Sequence, residues 1–191
     1  MTEETTTQQT SKAKKGAKKS FFEVKTALTA TKIQLYGSSA DDFIGKIVKL
    51  DLTRSLKGKN FELKLRVIKS ENGLLEAEPI LIELLGSYIR RMMRIGIDYV
   101  EDSFEVECKD DKAIVKPFMI TRNKVSRAVR KELRNSARKF IESYAKTRPA
   151  REMFTDIITN KLQKELFLKS KKIYPLALCE IRVFGIVPGK K

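Results

Sequence analysis

The sequence predicts an α+β fold, mainly an antiparallel sheet or partly closed β-barrel with flanking helices, preceded by a disordered basic arm. Three patterns predict it. Apolar and polar residues alternate with period two at several places between residues 21 and 121, Asn72-Gly73 sits between two such runs, and a helical period takes over for about fifty residues after Thr121. Strands first and helices grouped later give α+β rather than an alternating α/β order.

The elements follow in chain order. Residues 1–20 carry no large aliphatic or aromatic side chain after Met1, so they cannot feed a core and are expected to form a disordered arm. Its second half is basic, with Lys12, Lys14, Lys15, Lys18 and Lys19 spaced by Ala and Gly. Such an arm can follow phosphates without a fixed backbone shape; the plainer reading is a solvated tail. A single folded domain is expected over residues 21–187, leaving 188–191 as a short basic tail.

Val48, Leu50 and Leu52 alternate with Lys49 and Asp51, and Phe61, Leu63, Leu65 and Val67 alternate with Glu62, Lys64 and Arg66. Each run reads as a strand with one buried face. Asn72-Gly73, between the run at 61–69 and that at 74–78, predicts a tight hairpin turn, because both residues tolerate positive φ. A second hairpin is expected where Phe104, Val106 and Cys108 alternate with Glu105 and Glu107, turn at Asp110-Asp111 and return over 113–121. Leu81, Leu84, Leu85, Tyr88, Met92 and Ile95 recur at helical spacing after Pro79, predicting one amphipathic helix that stops near Gly96. Pro149 divides the later helical stretch into two helices, since a residue before proline is pushed out of helical geometry. Tyr174-Pro175 ends the second, and Leu176, Leu178, Ile181, Val183 and Ile186 suggest a last strand.

Of the 191 residues, 41% are hydrophobic, enough for one ordinary domain. Forty Lys and Arg against twenty-four Asp and Glu leave a formal charge of +16, well beyond what solubility asks for, so a polyanionic partner is expected. Cys108 and Cys179 lack CxxC spacing and read as reduced thiols packed in the fold. The first ten residues lack the basic patch and apolar run of a secretory signal, so no export signal is expected. The most apolar window, 80–85, is broken by Glu83, which predicts a soluble chain without a membrane span.

Histidine is absent, which removes the commonest acid-base group and metal ligand. The acids Asp41-Asp42, Asp98, Glu101-Asp102 and Asp110-Asp111 lack ion-loop spacing and read as turns and caps. Lys57-Gly58-Lys59-Asn60 lacks the frame of a P-loop and reads as a loop between strands. A non-enzymatic protein without cofactor or metal is therefore expected. An RNA-processing activity using carboxylates and Mg²⁺ is the enzymatic alternative.

The clearest positive pattern lies over about residues 123–146. At 100° per residue, Val125, Val129, Leu133, Ala137, Phe140 and Tyr144 fall on one side, while Arg127, Arg130, Lys131, Arg134 and Arg138 form a narrow stripe away from it. Residues 122–139 hold eight basic side chains, Arg122 and Lys124 among them, and one acid, Glu132, so i,i+4 carboxylates that would neutralise the stripe are not expected. Guanidinium presents a planar fork of donors that suits phosphate oxygens. Further candidates for the same contact are Lys25, Arg54, Lys57, Lys59, Arg90, Arg91, Arg94, Lys171 and Lys172; the three arginines can also complement a helix dipole. Charge on many surfaces suits a protein embedded in folded RNA better than a DNA reader with one recognition element. A free-standing basic regulator or chromatin protein on DNA is the alternative. Phe61, Phe104, Phe140, Phe154 and Tyr144 lie on apolar faces and read as core, so backbone and shape contacts are expected to dominate.

Several segments, in order and spacing, are similar to one family. They are Phe21-Phe22-Glu23-Val24-Lys25-Thr26-Ala27, Gly45-Lys46-Ile47-Val48, Tyr88-Ile89-Arg90-Arg91, Thr121-Arg122-Asn123-Lys124 and, most specifically, Lys171-Lys172-Ile173-Tyr174-Pro175-Leu176. Over residues 21–183 the chain resembles the archaeal and eukaryotic small-subunit ribosomal protein family called eS-one or three-a-e. Departures are Thr26-Ala27 in place of Ala-Pro, and Phe21 in place of tryptophan. The short stretch after Leu176 makes the chain more like an archaeal member. The resemblance implies a β-barrel-like core with flanking helices and a structural role in the cytoplasmic small ribosomal subunit. Its implied place is on the platform near the messenger exit. Small-subunit rRNA including its 3′ region, neighbouring platform proteins and messenger RNA near the exit are the implied partners.

Overall fold

The computed structural model describes residues 19–187 except 30, 32, 57, 72 and 73, and among these it contains nine strands and four helices; the strands at 20–26, 33–37 and 99–101 lie outside the alternating runs singled out in the sequence. The strands are β1 (Ser20–Thr26), β2 (Ile33–Gly37), β3 (Ile47–Asp51), β4 (Phe61–Glu71), β5 (Leu74–Leu84), β6 (Tyr99–Glu101), β7 (Phe104–Glu107), β8 (Lys112–Thr121) and β9 (Leu176–Ile186). The helices are α1 (Gly86–Met92), α2 (Arg127–Ala145), α3 (Ala150–Ile158) and α4 (Lys161–Ser170), and a single 3-10 turn spans Asp41–Phe43.

One open, mostly antiparallel sheet contains all nine strands, the sheet form of the predicted α+β class. β5 organises it. Along one edge it pairs with β4; along the other it pairs first with β1, in parallel at residues 74–77, and then with β9, antiparallel at 81–83. β8 pairs with β9 along one edge and with β7 and β6 along the other. β3 extends the sheet beyond β4, and β2 beyond β1. The last strand of the chain thus joins the β1–β5 half to the β6–β8 half.

Leu63, Leu65, Val67 and Leu75 are fully buried, which is the inward set of the predicted alternation, and Ile82 and Leu84, read from the sequence as part of a helical stretch, are buried beside them. α3 and α4 lie on β9, α3 reaches β5, and α2 runs beside β6 and β7 and against α4. Phe154 of α3 meets Phe184 of β9 edge to face, with ring centroids 4.8 Å apart, a preferred aromatic geometry. Both cysteines are free thiols, Cys179 buried and Cys108 half-buried.

The hairpin over 104–121 forms as predicted, with Phe104 opposite Val115 and Cys108 N–H donating to Asp111 O (2.9 Å) across the turn. β4 and β5 pair as the flanks of the first hairpin, while Asn72-Gly73 itself lies outside the described residues, as do the arm at 1–18 and the tail at 188–191.

Three boundaries differ from the sequence reading. The helix expected from Leu81 begins only at Gly86, because β5 continues through Pro79 to Leu84. Lys64 faces Leu81 but Leu65 faces Pro79, so Ile80 is an extra, bulged residue. The inward set therefore shifts phase, from Leu75, Ala77 and Pro79 to Ile82 and Leu84, and the broken alternation imitates helical spacing. The stretch after Pro149 holds two helices rather than one: Asn160 adopts φ +60°, a left-handed conformation that asparagine tolerates better than most residues, and it separates α3 from α4. The basic helix starts at Arg127 rather than near 123, where the Ser126 hydroxyl accepts from Val129 N–H (3.4 Å) and caps it.

Candidate nucleic-acid interface

α2 carries the predicted cationic row. Leu133, Ala137, Phe140, Ile141, Tyr144 and Ala145 are buried along one side, which fixes the rotation of the helix about its axis. Arg127, Lys131, Arg134 and Arg138 consequently stand exposed on the other side, with Arg130 half-buried beside them. Arg127 to Arg138 rises about 16 Å at 1.5 Å per residue.

The segment leading into α2 is also tied down. Thr121 Oγ1 lies 2.8 Å from the carbonyl oxygens of both Asp98 and Asn123, to either of which its one proton can be donated, and Asp98 Oδ2 accepts from Val125 N–H (2.9 Å). Arg122 and Lys124 are held at the surface on this braced loop. Arg122 N–H donates to Pro175 O (3.3 Å), which brings the exposed Lys171 and Lys172, just beyond α4, toward the start of α2.

Arg138 departs from the expectation of an unpaired row. Its Nε donates to Glu142 Oε1 at 3.0 Å, an i,i+4 pair just beyond the 122–139 window, and its guanidinium lies 5.2 Å from the centre of the Phe104 ring. Arg134 Nε donates to Glu101 O (3.4 Å). Arg130 and Arg134 line a cleft with Asp98, Glu101, Asp102 and Lys116, so the middle of the row has acids nearby. Among the described residues no carboxylate comes within ion-pair distance of Arg127, Arg130, Lys131 or Arg134.

Other candidates scatter, as their sequence positions suggested. Arg90 and Arg91 occupy the last turn of α1, and Arg94 follows it; all three are exposed. Arg91 lies 5.3 Å from the Tyr88 ring centre, and its Nη2 donates to Gly58 O (3.4 Å). Tyr99 borders both the cleft lined by Arg90 and the cleft lined by Arg130 and Arg134, so these two basic groups flank one surface. Lys25 on β1 and Arg54 in the turn after β3 are exposed and distant in the chain from this surface. Lys12, Lys14, Lys15, Lys18 and Lys57 lie outside the described residues, and Lys19 is exposed just ahead of β1.

Lys59 is turned inward and leaves the interface. Its Nζ donates to Glu180 Oε1 (2.5 Å) and Asn160 Oδ1 (2.8 Å). Burial pushes the Glu180 carboxyl above its ordinary range, against the opposing hydrogen bond and charge of Lys59. Lys116, which the sequence reading did not single out, joins the Arg130 cleft from β8; a lone lysine in an apolar run gave no charge pattern to find it by.

The aromatics read as core are core: Phe61, Phe104, Phe140, Phe154 and Tyr144 are all buried. Tyr144 hydroxyl donates to Asp156 Oδ2 (2.8 Å), an oxygen that also accepts from Arg148 Nη1, and burial raises the Tyr144 hydroxyl above its usual range. Among the described residues no helix is long and apolar enough to cross a membrane.

The chain is similar to known proteins over half or more of its length. "Small ribosomal subunit protein eS1" of Nanoarchaeum equitans is 26% identical over 181 residues, covering 91% of each chain. The protein of the same name from Methanothermobacter thermautotrophicus is 32% identical over 100 residues, 52% of this chain and 51% of its own. That of Halorubrum lacusprofundi is 27% identical over 146 residues, 74% of this chain and 68% of its own. All three organisms are archaea, in keeping with the likeness to an archaeal member. The model of the Ribosomal S3Ae family matches residues 7–188, and the chain therefore belongs to that family of small-subunit ribosomal proteins.

Proposed function

We propose that the chain is a structural constituent of the cytoplasmic small ribosomal subunit that binds rRNA by neutralising phosphates, on the platform near the messenger exit. Family membership supports the ribosomal role. The observation that carries the binding mechanism is α2: its apolar face is fixed in the core while Arg127, Lys131 and Arg134 stand exposed on the opposite side. Packing sets the register of the cations before RNA arrives, so binding orders their side chains but not the helix backbone that carries them. Arg122, Lys124 and Arg130 extend the row, and Arg90, Arg91, Arg94, Lys171 and Lys172 supply contacts around it. The lysines at 12–19, with Lys25, Arg54 and Lys57, reach further rRNA. The 3′ region of the rRNA, neighbouring platform proteins and messenger RNA near its exit complete the partners; no catalytic step is involved.

Binding of this kind depends steeply on salt, because each neutralised phosphate releases condensed counterions; 6–10 contacts lose about 10³–10⁵ in affinity between 50 and 200 mM salt. The test is sedimentation of the tagged chain in a sucrose gradient of cell lysate at low and high salt. Stoichiometric comigration with small subunits that survives moderate salt is the expected result. A chain that stays at the top of the gradient, or runs with DNA, overturns the proposal.

A further inference from the structure

We infer that the outer face of the β1–β2 hairpin is a stacking platform for unpaired RNA bases, formed by the facing rings of Phe21 and Tyr36 and bordered by Lys19 and Lys25. The inference rests on the RNA-binding reading above and adds to it a contact of a different chemistry.

Period-two alternation creates the face. On β1, Val24 is buried and the Phe22 ring packs against Phe43 (centroids 5.8 Å apart, 58° between planes), so Phe21, Glu23 and Lys25 point the other way. On β2, Leu35 packs against the core, and Gln34 and Tyr36 are exposed. Phe21 lies directly opposite Tyr36 in the ladder, and their rings meet at 4.9 Å with 43° between planes. Both remain largely open, at 69% and 58% exposure.

A cross-strand aromatic pair by itself contributes about 0.2–1 kcal/mol to an edge hairpin. That accounts for the ring-to-ring contact and leaves the two outward faces without a role. Phenylalanine has no polar group to satisfy in water, so a Phe at such exposure beside a second open ring offers π surface to a partner. Charge decides which partner. Lys19 Nζ sits 5.8 Å from the Tyr36 ring centre, Lys25 lies on the same face, and the sequence immediately before is the lysine run at 12–18. Glu23 is the only acid among the outward residues of the two strands, and exposed Glu76 of β5, in register with Lys25, leaves Lys19 and the preceding lysines as the main charge beside the rings. Aromatics on neighbouring strands with cations at the border suit single-stranded nucleotides, whose bases stack while their phosphates meet lysine; a paired duplex hides its base faces and cannot use the rings.

The test uses the full-length chain and two probes: a single-stranded RNA of about 12 nucleotides carrying 2-aminopurine, within the known site sizes for such surfaces, and a duplex of equal length. Phe21→Leu and Tyr36→Leu, singly and together, keep apolar bulk but remove the π faces. The wild type is expected to quench 2-aminopurine. Each substitution is expected to weaken single-strand affinity about tenfold, within the range known for base–aromatic stacking, while duplex affinity and melting temperature stay constant. Unchanged single-strand binding overturns the inference, as does an equal loss on both probes with a lowered melting temperature, which assigns the rings to holding the hairpin. Variants that keep single-strand binding yet fail to enter small subunits also overturn it, by assigning the face to a neighbouring protein. A wild type that binds neither probe at low salt defeats the RNA-binding reading itself.

Discussion

Lys59 shows how one residue's role depends on a partner far along the chain. It bonds Glu180, which lies 121 positions later, and within the segment Lys57-Gly58-Lys59-Asn60 nothing distinguishes it from a solvated loop lysine. Removing it leaves a buried carboxylate without its counter-charge. Lys59→Ala is expected to cost about 3 kcal/mol at pH 7, the lower end for broken buried pairs, because 26% of the lysine side chain still meets solvent against 5% for Glu180. A glutamate whose folded pKa lies above its ordinary 4.5 favours the folded state fully below that value and loses the contribution as pH rises through the raised one. Lys59→Ala raises it further, so denaturant titrations of this variant should show stability recovering from pH 7 toward pH 5. Adding Glu180→Gln should restore most of the loss at pH 7 and flatten that pH dependence; no recovery in the double variant would separate Lys59 from Glu180. Gly37 is a second single-residue case. A Cβ there would run into the ring of buried Phe43, so Gly37→Ala is expected to cost about 1–3 kcal/mol by overpacking, read as a lowered denaturation midpoint.

At the scale of the element, α2 was legible because both its faces are long and chemically uniform. Leu133, Ala137, Phe140 and Tyr144 recur at helical spacing through burial, and the arginines opposite are what remains. Its start was less legible: Ser126 is one hydroxyl among polar residues, and the bond to Val129 N–H that makes it the cap is a matter of geometry. The bulge in β5 was not legible, since a single inserted residue, Ile80, leaves no compositional trace and only shifts the phase of its neighbours. The cations of α2 differ in their internal commitments, and binding should report the difference. Arg127→Gln or Lys131→Gln should lower the slope of log affinity against log salt by about 0.7–0.9, one phosphate contact each, across RNA sequences alike. Arg138→Gln should change it less, because Glu142 already holds that guanidinium at 3.0 Å. Equal effects at Arg127 and Arg138 in filter-binding titrations would contradict this ranking.

In the whole molecule, most strands and the long basic helix are legible in local pattern, but the way they join is not, because pairing partners are chosen by side-chain fit across long sequence separations. No periodicity announces that β1 runs parallel to the start of β5, or that β9 takes the rest of the same edge. That shared edge makes the two halves of the sheet interdependent. A chain ending at Pro175 lacks β9 and is expected to lose the single cooperative unfolding transition; calorimetry that still showed one sharp transition would mean the halves are held by the helices instead.

The position of β9 also bears on how the protein is made. Synthesis runs from the N-terminus, so the β1–β5 strands and then the β6–β8 strands emerge while the strand that belongs between them does not yet exist. At about 5–20 residues per second, on the order of 3–13 seconds separate the end of β8 from the end of β9. Throughout that interval the nascent chain carries two unsatisfied strand edges, on β5 and on β8, each able to pair with another chain. Escape from aggregation is thus set by a race between elongation and encounter, and slow translation of the 65 codons between the ends of β8 and β9 would lengthen the hazard.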